Sequence, residues 1–196
     1  AARLRAALGA EAPVASSVEA PVSDLAVPYA EAAVEVPRDT PIPSLAFGAL
    51  GTILAQIVRA EAPVHQGAVF ERARLLWGQA SLSAEDRRAL EQALSLAARI
   101  EGITEQGGAW WPEDAVGVVV PRDRRGAAPH LSRPAFLPAD EVAEAARRLL
   151  VRTPRLTEAE LVREVAATLG MPANAEAAIA ARVAALVGAG DIRPAG

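Results

Sequence analysis

Two groups of arginines are the residues of this sequence best suited to chemistry: Arg122, Arg124, Arg125 and Arg133 in one short stretch, and Arg87, Arg88 and Arg99 upstream of it. All 20 basic side chains are arginine, so every cation here is a planar guanidinium. Guanidinium suits phosphate oxygens and base edges, and it suits carboxylates equally well. Two roles therefore stand side by side: the seven arginines contact DNA, or those of the stretch 113–136 pair with acids on either side and join the flanking units. Catalysis has little to work with. His65 and His130 are the only histidines and lie in different segments, cysteine is absent, and no carboxylates cluster at metal or triad spacing. A phosphate-binding Gly-x-x-x-x-Gly-Lys-Ser/Thr loop is also missing. No catalytic residue, metal, cofactor or small-molecule ligand is expected. Glu85-Asp86 and Asp140-Glu141 resemble acid pairs, but each falls in a first helical turn, where the helix dipole accounts for it.

The elements that hold these arginines follow one plan used twice. Pro63-Val64-His65 leads into an apolar stripe of Val69, Phe70, Ala73, Leu76 and Trp77 and stops at Gly78; Pro154 to Gly170 repeats that layout with Thr157-Glu158-Ala159-Glu160 as a capping box. Each copy follows one apolar helix and precedes another. The helix before the first copy is predicted over 44–61 with Ser44 as its cap, and the one after it starts at Ser83-Ala84-Glu85-Asp86. Gln106-Gly107-Gly108 between short strand-like runs marks a hairpin. Strand alternation points one of Trp110 and Trp111 inward and the other outward, unless both close the core. Pro63 ends the first helix, His65 caps the second or bonds within its corner, and Trp77 anchors the place where three helices meet. In the second copy Asn174 is the expected cap of the last helix, and Asp191-Ile192-Arg193 begins a strand without a partner.

Three helices and a hairpin make the expected fold mainly α, with two tandem winged-helix-like units carrying short β-hairpin wings. The units span 41–112 and 137–196. Residues 113–136 form an Arg/Pro connector, and 1–40 read as a proline-rich linker in which Val34 and Val36 could form a strand or strap. Formal net charge is −4, with the two units and the N-terminal segment each acidic and the connector basic, so any phosphate contact must come from local arginine geometry. In a winged helix the third helix enters the groove. The first unit's exposes Arg87, Arg88, Glu91, Gln92, Ser95 and Arg99, whereas the second unit's offers only Arg182 among alanines and Glu176. Without cysteine, a signal peptide or an apolar run approaching the roughly 20 residues that cross a bilayer, the cytoplasm is the expected compartment, with no membrane contact. Beginning at Ala1, the sequence reads as a piece of something larger.

Pro28-Tyr29-Ala30-Glu31, the Glu61-Ala62-Pro63-Val64-His65 corner, Leu76-Trp77-Gly78, Pro121-Arg122-Asp123-Arg124 and Leu137-Pro138-Ala139-Asp140-Glu141-Val142 together resemble an uncharacterised domain family. That family sits at the C-terminus of bacterial superfamily I helicase-like proteins, commonly after a restriction-endonuclease-like nuclease domain. The resemblance covers roughly 28–196. It implies that helicase and nuclease domains of a parent chain are the partners, and that this region is a non-catalytic accessory that engages or positions nucleic acid. One departure is that the turns before the third helices read Gln79-Ala80-Ser81-Leu82 and Met171-Pro172-Ala173-Asn174, without the Gly/Arg pattern of the family. The alternative is a protein–protein interaction module of tandem winged helices with no direct nucleic-acid contact.

Overall fold

A computed structural model describes residues 24–195; the N-terminal Ala/Leu/Arg segment with Pro13, Ser16, Ser17 and Pro21 lies outside them. The described chain is mainly helical.

In the first part, α1 (Phe47–Glu61) buries Leu50, Leu54, Ile57 and Val58 at three- and four-residue spacing. It starts later than Ser44. Ile42–Ser44 instead forms a turn of 3-10 helix, with the Leu45 N–H donating to the Ile42 carbonyl, and Leu45 and Ala46 are extended. The turn buries the Ile42 side chain completely, and the extended Leu45 and Ala46 that follow it delay the helix to Phe47. Helix α2 (Gln66–Leu76) is capped by His65, whose Nδ1 accepts from the Gly67 N–H at 3.0 Å, and the chain leaves it through Trp77 and Gly78, the latter at φ +68°. Helix α3 (Ala84–Ile100) opens with a reciprocal capping box: Asp86 N–H donates to Ser83 Oγ, and Ser83 N–H donates to Asp86 Oδ2. It lies close against α1, because a Cβ on Gly51 would sit 3.0 Å from the Ala93 carbonyl oxygen.

Strand β1 (Val27–Pro28) precedes these helices, and β2 (Ile103–Gln106) and β3 (Ala109–Pro112) follow as an antiparallel hairpin whose two-residue turn needs positive φ at both Gly107 and Gly108. Val64, between α1 and α2, makes an antiparallel bridge to Trp110, a third strand of minimal length. Trp110 and Trp111 are both buried, at 8% and 2% exposure, so neither faces outward as simple alternation predicts; the hairpin is covered on both sides.

The second part packs α4 (Ala139–Arg152), α5 (Glu158–Thr168) and α6 (Glu176–Ala189) around Val142, Leu161, Val165, Leu169, Ile179 and Val183. Thr157 and Glu160 form the capping box of α5. Asn174 is not a cap: it lies in a 3-10 turn at Ala173–Ala175, and α6 starts without a side-chain cap bond. Nor do residues 191–193 form a strand. The tail instead makes a single parallel bridge from Ala195 back to Thr157.

Residues 24–36 are no free linker. Strand β1 pairs in parallel with β4 (Arg122–Asp123), so the chain ahead of the first unit is laced to the connector. Tyr29, Val34 and Val36 pack on the first core, and Leu25 packs on the second. Val34 and Val36 thus serve as a strap without being a strand.

Candidate functional site

The first and second cores are separate apolar clusters, and what lies between them is charge. Glu61 ends α1 fully buried, and Glu141 in the first turn of α4 is fully buried too. An unpaired carboxylate in such a place costs several kcal/mol, so each must find cations. Glu141 finds two. Arg122 Nη2 is 2.9 Å from its Oε2 and Arg124 Nη2 is 2.6 Å from the same oxygen, while the Arg122 N–H and Nε donate to Oε1 at 2.7 and 3.2 Å. Burial works against ionisation of Glu141, but Arg124 and Arg122 outweigh it and hold the carboxyl below its usual range.

Arg122 spends its remaining N–H groups on the first unit. Nη1 donates to the carbonyls of Glu61 (2.6 Å) and Ala62 (3.2 Å), and Nη2 to that of Pro63 (2.7 Å). These include carbonyls that the end of α1 leaves unsatisfied, and a cation there complements the helix dipole. Tyr29 from the strap lies beneath both guanidiniums, with Arg122 Cζ 4.6 Å and Arg124 Cζ 5.2 Å from its ring centroid, a cation–π stack. Its hydroxyl donates to Glu61 Oε2 at 2.9 Å. Burial first, then the Glu61 carboxylate, push the phenol above its ordinary value. The other Glu61 oxygen accepts from the Ala32 N–H (2.9 Å) and from Arg72 Nε (2.5 Å), and Arg72 Nη1 reaches Glu31. His130 lies buried beside this end of the network. Burial, then Arg72, bring its pKa down to about 4, so it is neutral near pH 7.

The connector arginines therefore divide. Arg122 and Arg124 are 8% and 3% exposed and are turned inward, away from any external phosphate. Arg125 is exposed but clasps Asp123, and exposed Arg133 stands 3.8 Å from Glu71 Oε1 with its guanidinium over Phe136. Of the sequence-predicted arginines, Arg87, Arg88 and Arg99 remain exposed, and none of the three makes an ion pair among the described residues. They share the outer face of α3 with Glu91, Gln92 and Ser95, and burial of Arg122 and Arg124 removes those two from any patch with them. Clefts flank that face on two sides. One of 480 Å³ runs from Arg87 to His65, Glu105 and Trp110; the other, of 380 Å³, lies between Phe47 and the run Gln92, Ser95, Leu96, Arg99.

Of the residues expected to be structural, Pro63 and His65 meet the connector, while Trp77 and Trp111 bond within the first unit. His65 stacks on Phe136, ring centroids 5.2 Å apart, and Pro63 presents its carbonyl to Arg122. Trp77 is 6% exposed and donates Nε1 to the Thr40 carbonyl at 3.0 Å; Trp111 donates to that of Gln106 at 3.1 Å. Arg182, exposed by expectation, is half-buried with Nη2 3.4 Å from the Pro134 carbonyl. Arg72 was not singled out by the sequence, Glu141 was read only as an acid complementing its helix dipole and Glu61 only as part of its corner; Glu61 falls seven residues after Leu54 on the apolar stripe of α1, and a carboxylate on such a stripe is the available signal for its burial.

Among the described residues no group of three or more His, Asp or Glu side chains could hold a metal ion, and no helix is long and apolar enough to cross a membrane. The chain matches no protein-family model, no curated protein and no solved structure.

Proposed function

We propose that this chain is a non-catalytic accessory region of a larger helicase-like protein, and that it engages nucleic acid through the outer face of α3 in a winged-helix-like first unit. One observation carries the reading: Arg87, Arg88 and Arg99 stand exposed on one helix face without an ion pair among the described residues, while Arg122, Arg124 and Arg125 are paired with carboxylates and Arg133 lies 3.8 Å from Glu71. The order helix, bridging Val64, helix, helix, hairpin supports the winged-helix assignment. The wing itself is less free than in a lone module, because Gly107 at its tip lies against Asp140 of α4, an acid that repels phosphate. That leaves α3 as the contacting element.

The test is binding of oligonucleotides across a salt series. Each phosphate contact removed by Arg87→Gln, Arg88→Gln or Arg99→Gln lowers the salt slope by about one without changing the melting temperature. Equal binding by the triple variant overturns the reading. A second reading, a module for protein contact, is favoured by Phe47 and Ile100, which are 44% and 60% exposed in the same unit, and by the acidic balance of the whole chain.

A further inference from the structure

We propose that the cleft between Phe47 and α3 receives an unpaired nucleobase, so that the ligand of this face is single-stranded nucleic acid; the inference rests on the α3 reading above and specifies its substrate class. Phe47 is the first residue of α1, and its ring is 44% exposed where a core position would hide it. Close packing of Gly51 on Ala93 draws α1 against α3 and sets that ring beside Gln92, Ser95, Leu96 and Arg99. The groove is open to solvent on its outer side and measures 380 Å³, near the small end of the roughly 300–1,000 Å³ typical of small-ligand sites.

The lining is suited to a base and a backbone at once. Phe47 and Leu96 supply an apolar wall on which a flat ring can stack. Gln92 both donates and accepts, and Glu91 accepts from an exocyclic amine, as base edges require. Arg88, Gln92, Ser95 and Arg99 follow one another at four-, three- and four-residue intervals, which places the two guanidiniums on the same stripe of α3, about 16 Å apart along the helix, so that they can hold phosphates on either side of the cleft. Charge orients the strand: Glu91 repels phosphate from the cleft and the arginines hold it on the rim. A duplex keeps its base faces stacked and has none to offer Phe47. The larger groove between α5 and α6, 690 Å³, sets Glu158 and Glu176 against Arg163 alone and lacks an aromatic wall.

The experiment compares the full chain with three labelled probes: a short single strand, the matching duplex, and an abasic strand of equal length. The expected result is tighter binding of the single strand than of the other two. Phe47→Ala should weaken single-strand binding by about 5- to 100-fold and leave the abasic strand unaffected, with Phe47→Tyr retaining binding. Because the ring is half-exposed, the melting temperature of Phe47→Ala is the control for folding. If Phe47→Ala binds the single strand as tightly as the parent, or the duplex binds as well as the strand, while Arg88→Gln still weakens binding, the base cleft is overturned and the α3 reading survives. If no probe binds, or the arginine variants bind unchanged, both readings fall and Phe47 is left as a protein contact.

Discussion

Arg122 lies against Glu141 with Nε 3.2 Å from Oε1 and Nη2 2.9 Å from Oε2, and its other donors reach the carbonyls at the end of α1. One side chain from the connector thus holds both units. Removing the carboxylate charge leaves Arg122 and Arg124 buried without their counter-ion, a change that typically costs about 3–5 kcal/mol. Glu141→Gln should therefore lower the urea midpoint by a large fraction of total stability; an unchanged midpoint would show the network to be dispensable.

The connector arginines should separate in the same assay. Arg122→Gln and Arg124→Gln destabilise, whereas Arg125→Gln and Arg133→Gln stay within about 0.5 kcal/mol of the parent, since both guanidiniums are solvent-exposed. Equal losses at all four positions would contradict the burial difference.

Trp77 is nearly enclosed and tied to Thr40, joining the end of α2 to the segment ahead of α1. Truncation to alanine should cost about 3–5 kcal/mol, read as a large drop in melting temperature. An unchanged melting temperature would mean that the indole contributes nothing to the core.

Gly170 sits at φ +62°, and a Cβ there would lie 2.7 Å from the Arg125 nitrogen and 2.9 Å from that of Arg124. The Arg124 N–H donates to the Leu169 carbonyl at 3.0 Å, so the end of α5 is pressed onto the connector. Gly170→Ala should destabilise by more than about 1 kcal/mol, the combined result of strain and displaced backbone. Gly188→Ala, with open space around it, is the control and should be neutral or stabilising.

His130 gives the protein an acid-side slope. Its folded pKa, about 4, lies below the ordinary 6.5, so as pH falls from 6.5 the unfolded chain takes up the proton first. Stability is complete above that pH and declines toward pH 4. Glu31, Glu71, Glu141 and Asp123, held below their ordinary values, contribute stability that is lost only under more acidic conditions, below pH 4.5 for the glutamates. The window from 6.5 to 4.5 therefore isolates the histidines. His130→Leu should flatten most of the decline in denaturation midpoints there, leaving the smaller share of His65, whose pKa is also lowered by burial and by Arg182. An unaltered slope would place the titration elsewhere.

Local chemistry was readable. Ser83 with Asp86 and Thr157 with Glu160 are capping boxes set by residues three apart, and Gly107-Gly108 dictates its own turn. What could not be read depends on partners distant in sequence. Ser44 has the side chain of a cap, but it ends a 3-10 turn whose Ile42 packs in the core, and α1 begins only at Phe47. Glu141 was explained by the dipole of its own helix, while Arg122 and Arg124 meet it from another element. Trp110 and Trp111 are both covered, as the reading in which both close the core has it; alternation alone, which sends one of them outward, cannot count the layers around a hairpin. For the α3 face, arginine placement was visible in the sequence; the exposure of Phe47 beside it was not, because helical spacing assigns that ring to a core stripe.

The strap sets the size of the smallest transplantable piece. Leu25 packs on the second core, while Tyr29, Val34 and Val36, only a few residues on, pack on the first. The second unit is thus not a continuous run of sequence, because it is completed by chain that precedes the first. A cut within 113–136 severs a covalent link and also strands Leu25 with the wrong fragment, and a duplication of the second half alone copies a core with a part missing. Through evolution or through cloning, the two units and their strap should travel as one cassette.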